Sequence, residues 1–227
     1  MKILVINPNT TASMTSKIEV AANSVASANT QIVAANSQDG PASIQGFLDV
    51  AHCVPGLLGE IKRHPDVDAI VIACFDDTGL DAVRCMVSVP VIGIGEAGFH
   101  TASMIANKFS VVTTLSRSVP GLENNLQRYG MAQKCVGVRA TDIPVLKLEE
   151  GDPETLEKIK SEIREAISQD KAEAIVLGCA GMADLMDSLS DEFGLPVIDG
   201  VTAGVALAEA LVKIGLSTSK KGAYASD

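Results

Sequence analysis

Two cysteines stand where this chain could do chemistry. Cys74 ends the run D-A-I-V-I-A-C and Cys179 ends E-A-I-V-L-G-C. In both runs the apolar residues are consecutive, which marks a strand covered on both faces. Each run leads through a short loop into a helical segment, so each thiol falls at the carboxyl end of a strand. Unpaired backbone N–H groups and the positive end of a helix dipole lie there. Such a setting lowers a thiol pKa and supplies anion binding. A single cysteine after a strand is more often a small buried hydrophobe, and a metal ligand or a disulfide half are further options. Two cysteines at equivalent strand ends favour acid/base work instead. Placed on opposite sides of one carbon, one thiol removes a proton from one face and the other delivers a proton to the opposite face. Cys53, Cys85 and Cys135 have no such counterparts and are assigned to packing or surface.

The elements that must position these thiols follow from hydropathy patterning. Short β-branched runs (KILVIN, QIVAAN, VDAIVIAC, VPVIGI) alternate with longer amphipathic segments, and the second half repeats that order. This is an α/β pattern of parallel strands with crossover helices. Asp152-Pro153-Glu154 opens one of the helices, with Asp as cap and Pro in the first helical position. The halves also match in sequence: Cys74 and Cys179 lie 105 residues apart, while the matched pairs Val89/Leu195 and Lys2/Lys108 lie 106 apart. Length allows one domain or two small ones. The repeat predicts two similar lobes, each a parallel sheet flanked by helices, related by a pseudo-twofold axis with the site between them. The expected boundaries are 1–97 plus 203–227 for the first lobe and 98–202 for the second, the last amphipathic helix folding back on the first. The tail from Leu216 is polar and is expected to be loosely held.

Ligands of open parallel sheets bind outside the carboxyl ends of the strands. Asn7-Pro8-Asn9-Thr10-Thr11 follows the first strand and Thr113-Thr114 its counterpart, both offering hydroxyl or amide groups to the cleft. N-P-N-T is also a good turn and helix cap. Asp76-Asp77 reads either as a site element or as a solvated turn capping a helix at Thr78. Ile44 and Phe75 are apolar candidates for the pocket wall, and His100 reads as structural.

Composition excludes several classes. The chain has 47% hydrophobic and 20% charged residues, as ordinary globular proteins do. A net charge of -10 without Lys/Arg clusters argues against nucleic-acid binding. No apolar run approaches membrane-spanning length, and MKILVINPNT reads as a first strand rather than a secretory signal, so a cytoplasmic protein is expected. Five cysteines without a C-x-x-C pair, and three histidines off zinc spacing, make a disulfide framework or a metal site unexpected. Symmetric self-assembly into a homo-oligomer is expected for a protein of this type.

At N-P-N-T-T, A-C-F-D-D-T-G-L-D-A-V-R, G-E-A-G-F-H-T-A-S-M, F-S-V-V-T-T-L, V-L-G-C-A-G-M and P-V-I-D-G, the sequence resembles the hydantoin and allantoin racemases of the aspartate/glutamate racemase superfamily. The resemblance runs nearly end to end. Each motif is weak alone; their order and spacing are specific. The resemblance implies two lobes around one site, a small-molecule substrate, no cofactor, and Cys74 and Cys179 as acid and base. It further implies substrate contacts at Asn9, Thr10, Phe75, Asp76, Thr114, Ala180 and Gly181. One departure stands beside the first cysteine: the C-F-G-D-P-G-L pattern of hydantoin racemases reads C-F-D-D-T-G-L here, Asp76 replacing a glycine and Thr78 a proline. Aspartate/glutamate racemisation or maleate isomerisation on the same scaffold, and small-molecule binding without turnover, are the alternatives. A free amino acid with a second carboxylate needs cationic anchors, for which Arg84 and Arg117 are the obvious residues.

Overall fold

Alternate residues of each central strand enter different cores, which fixes where each sheet face lies. The computed structural model describes residues 1–225. In the first lobe, β1 (Lys2–Asn7), β2 (Gln31–Asn36), β3 (Ala69–Ile72) and β4 (Val91–Gly93) form a parallel sheet in the order β2-β1-β3-β4. In the second, β5 (Phe109–Thr113), β6 (Cys135–Ala140), β7 (Ala174–Gly178) and β8 (Val197–Asp199) repeat it as β6-β5-β7-β8. The internal repeat holds to the residue: Ile3 pairs with Ala69 in the first sheet and Phe109 with Ala174 in the second.

Successive side chains of a strand point to opposite faces. Ile3 and Val5 of β1, with Ala69 and Val71 of β3, turn to a central core that the second lobe shares through Phe109, Val111, Ala174 and Val176. Leu4, Ile6, Ile70 and Ile72 turn the other way, into an outer core beneath α2 (Phe47–Ile61) and α3 (Leu80–Met86). Val112, Ile175 and Leu177 do the same beneath α6 (Pro153–Ser168) and α7 (Met186–Phe193). Both faces of each central strand are therefore dry, as their continuous apolar sequence requires. In α6, Asp152 caps as expected, accepting from the N–H of Glu154 at 3.2 Å.

Two helices tie the lobes together. α4 (Ile94–Ile105) leaves β4 and packs on β7 of the second sheet, whereas α8 (Gly200–Lys213) leaves β8 and packs on β3 and on α1 (Ala12–Val25) of the first. They cross each other at glycines: a Cβ on Gly200 would lie 2.4 Å from the Ile94 carbonyl oxygen, so no side chain fits. The expected boundary at 97/98 falls within α4. Phe75, Phe99, Phe109 and Tyr129, the last at the end of α5 (Val119–Arg128), form an aromatic cluster across the lobes.

The tail corrects one expectation, because it is tied down through residue 224. Thr218 donates from N–H to Ser88 O and from Oγ1 to Val89 O, Lys220 Nζ donates to the carbonyls of Arg84 and Cys85, and Tyr224 Oη donates to Asp81. Polar residues read as solvated in sequence are here satisfying the ends of α3 and the start of β4. Among the described residues, no helix is long and apolar enough to cross a membrane, and no group of three or more His, Cys, Asp or Glu is gathered to hold a metal ion.

Candidate active site

Each cysteine follows directly on, or one residue beyond, the end of its strand, and each is held by the same local device. The carbonyl of Cys74 accepts from Asp77 N–H at 2.9 Å, and that of Cys179 accepts from Met182 N–H at 3.0 Å. The chain turns sharply after each thiol, which leaves the N–H groups of the next two residues outside any helical ladder. Both thiols line one cavity of about 50 Å³ between the lobes. None of the five cysteines is in a disulfide, and Cys53, Cys85 and Cys135 lie off the cavity wall.

Of the residues singled out in sequence, Asn9, Ile44, Phe75, Asp76, Thr114 and Ala180 share that wall with the two cysteines. Thr10 and Gly181 do not. Thr10 donates its N–H to Pro41 O at 3.2 Å, and Thr11 Oγ1 donates to Ala42 O at 2.6 Å, so this part of N-P-N-T holds the segment that carries Ile44. Gly181 lies just behind the wall, where a Cβ would come 3.6 Å from Cys179 Sγ. Asn9 is fixed by Asn7 and Thr11, whose Nδ2 and N–H both donate to its Oδ1 at 2.9 Å. Sequence reasoning missed Met14, Ser118, Leu122 and Val145 as wall residues. Met14 and Leu122 occupy the first turns of α1 and α5, the helices that follow the first strand of each lobe, and the repeat could have located them. Val145 lies in a 3-10 stretch and carries no sequence signal.

The electrostatics around Cys74 are asymmetric. Burial at the bottom of the cleft pushes its thiol well above the usual range, and the Asp76 carboxylate adds to this both by its charge and by accepting the S–H. The nearby Thr78 hydroxyl and the Asp76 backbone N–H pull the other way. Asp76 is itself raised by burial, against the donors Thr78 and Cys74. Its carboxylate also accepts from Thr78 N–H at 3.1 Å and from the Thr78 hydroxyl.

Asp77 does something else, and not what its position in sequence suggests. Its φ of 56° turns the side chain away from α3 to the start of α4, where it accepts from Gly95 N–H at 2.9 Å and Glu96 N–H at 2.8 Å. Tyr129 Oη of the second lobe donates to it at 2.8 Å. Asp77 caps α4 and links the lobes behind the site, rather than capping a helix at Thr78.

Comparison with known proteins bears on this arrangement. A family model described as Asp/Glu/Hydantoin racemase matches residues 3–208. The chain belongs to that family. A hydantoin racemase of Rhizobium meliloti is 52% identical, with 99% of this chain and 94% of the relative covered. One from Pseudomonas sp. (strain NS671) is 49% identical over 99% of this chain and 91% of its own length. Among solved structures, an allantoin racemase from Klebsiella pneumoniae superposes with a TM-score of 0.97 at 44% identity, covering 100% of this chain and 94% of that one. Within the Asp/Glu/Hydantoin racemase family, then, this chain presents two cysteines to one interlobe cavity, with a carboxylate beside the first.

Proposed function

We propose that the protein is an isomerase that racemises 5-substituted hydantoins, allantoin among them, by two-base proton transfer between Cys74 and Cys179. The observation that carries this reading is the presence of both thiols, from equivalent strand ends of two similar lobes, in the wall of a single cavity. The hydantoin and allantoin racemases to which the chain is similar support the substrate class.

The chemistry follows from the substrate and the residues. C5 of a hydantoin lies next to the C4 carbonyl, so removal of its proton gives an enolate. That makes the proton acidic enough for a thiolate to take without a cofactor. Cys179 as thiolate takes the C5 proton while Cys74, held as thiol by Asp76, donates to the opposite face; the roles exchange for the other enantiomer. The enolate places negative charge on O4, which the N–H groups of Ala180 and Gly181 are suited to meet, with Asn9 and Thr114 positioning the ring. A donor of this kind typically contributes about 3–4 kcal/mol to the transition state.

The two lobes of this reading are residues 1–97 plus 203–227 and residues 98–202, a division supported by α8 and the tail being bound to the first lobe. The reading extends to a cytoplasmic enzyme, in keeping with five cysteines outside any disulfide, and to a symmetric assembly, for which the exposed Val20, Met104 and Ile105 offer apolar surface.

Free aspartate or glutamate is a poorer fit. Arg84 is engaged with Glu96 at 2.6 Å and with the Val91 carbonyl, and neither it nor Arg117, which lines a neighbouring compartment, is on the wall of the cysteine cavity. Polarimetry on both enantiomers of allantoin, 5-benzylhydantoin and 5-isobutylhydantoin tests the proposal. Wild type should racemise hydantoins from either side, while Cys74→Ser and Cys179→Ser each lose roughly a thousandfold or more in rate with the circular dichroism of the fold retained. Near wild-type racemisation by either variant would remove the two-base assignment.

A further inference from the structure

Beside the inner cavity of about 50 Å³ lies a second, larger compartment of about 200 Å³. The two share Asp76 and Ser118, so the outer one lies on the Asp76 side of the inner. Its wall brings together Phe47 and Val50 from the start of α2 and Arg117, Asn124 and Asn125 from the second lobe.

The chemistry of this wall is mixed in a definite way. Phe47 is 64% exposed, an aromatic side chain left uncovered beside the cleft. Arg117 makes no ion pair among the described residues; its guanidinium donates to Gln45 Oε1 at 3.0 Å, a neutral acceptor contributed by the opposite lobe. Asn125 Nδ2 donates to the Asp76 carbonyl at 2.8 Å, which holds the two lobes in register at this point. On the inner side stands the Asp76 carboxylate.

A cation at the rim and a carboxylate at the neck call for a group that is both acceptor and donor. A second carboxylate would meet Arg117 favourably but face Asp76 at the neck. A purely apolar substituent would use Phe47 and Val50 and leave the guanidinium with no new partner. A planar urea or carboxamide meets both: its carbonyl accepts from Arg117 in place of Gln45, its N–H groups donate toward Asp76, and its plane rests against Phe47.

We propose that the compartment bounded by Phe47, Asp76 and Arg117 is the subsite for the C5 substituent, and that it selects substituents ending in a urea or carboxamide. This rests on the hydantoin-racemase reading of the same cleft.

The test is the set of kcat/KM values, corrected for uncatalysed racemisation, for allantoin, 5-benzylhydantoin, 5-(2-carbamoylethyl)hydantoin and 5-(2-carboxyethyl)hydantoin, measured for wild type, Arg117→Met and Arg117→Lys. Melting curves verify that the variants fold. Arg117→Met should lower the ratio of allantoin to benzylhydantoin about tenfold, mainly through KM for allantoin, as expected for losing a hydrogen bond to a charged donor. Arg117→Lys should recover part of that ratio. Wild type should favour the carbamoyl over the carboxyl substrate of equal length. A ratio unchanged in Arg117→Met, or a wild-type preference for the carboxyl substrate, overturns the subsite while leaving the racemase reading standing. Failure of wild type to racemise any of the four overturns the racemase reading itself.

Discussion

Asp76 is the residue at which this chain departs most informatively from the pattern it resembles. Burial pushes the Cys74 thiol up, and the Asp76 carboxylate adds to this by its charge beside the sulfur and by accepting the S–H. Racemisation by two bases needs one thiol and one thiolate, so the high-pH limb of the rate profile reports loss of the donor proton. Removing the charge lowers the Cys74 pKa. In Asp76→Asn, which can still accept from Thr78, the high-pH limb of kcat/KM should move to lower pH for the enantiomer that Cys74 protonates. A limb that stays in place or moves to higher pH would show that Asp76 does not govern the thiol. Both cysteines were legible in the sequence because equivalent repeat positions ended equivalent apolar runs. The role of Asp76 was less so, since its partners Cys74 and Thr78 are near in sequence but the burial that couples them comes from the opposite lobe.

At the scale of elements, the helix termini carry most of the positioning, and here sequence was a partial guide. Asp152-Pro153 announced α6 because an N-cap acts within its own turn. Asp77 announced nothing of the kind, since the helix it caps, α4, starts 17 residues later and is brought to it by β4. Burial pushes the Asp77 carboxyl up to about 7, outweighing the donors Tyr129, Gly95 and Glu96. A carboxyl raised on folding contributes stability that is complete below its ordinary pKa and is lost as pH rises through the folded value. Wild type should therefore lose stability between pH 5 and pH 8. In Asp77→Asn, where nothing ionises, the difference in urea midpoint between those pH values should shrink. An unchanged difference would mean that Asp77 is not the group responsible. The tail was misread for a related reason: Thr218, Lys220 and Tyr224 look solvated until the carbonyls of α3 and β4 are placed beside them.

For the molecule as a whole, the repeat was readable from three strand matches at nearly constant spacing, and the two sheets reproduce it in order and register. Sequence did not reveal how tightly the lobes close, because that depends on side chains meeting from segments far apart, such as Gln45 on Arg117 and Asn125 on Asp76. Nor did it show that α4 crosses to the second sheet, as α8 crosses to the first, which makes the lobes mutually dependent. In the proposed mechanism that closure sets one thiol on each side of a single carbon. Solvent-deuterium labelling tests this most directly. Each enantiomer of a hydantoin substrate is incubated separately in D2O with the enzyme, and early samples are separated and analysed for label at C5. With opposed donors, the product enantiomer should carry deuterium from either starting side while the remaining substrate stays unlabelled. Label returning to the substrate enantiomer as fast as it enters product, or product that retains the original hydrogen, would contradict the two-thiol account.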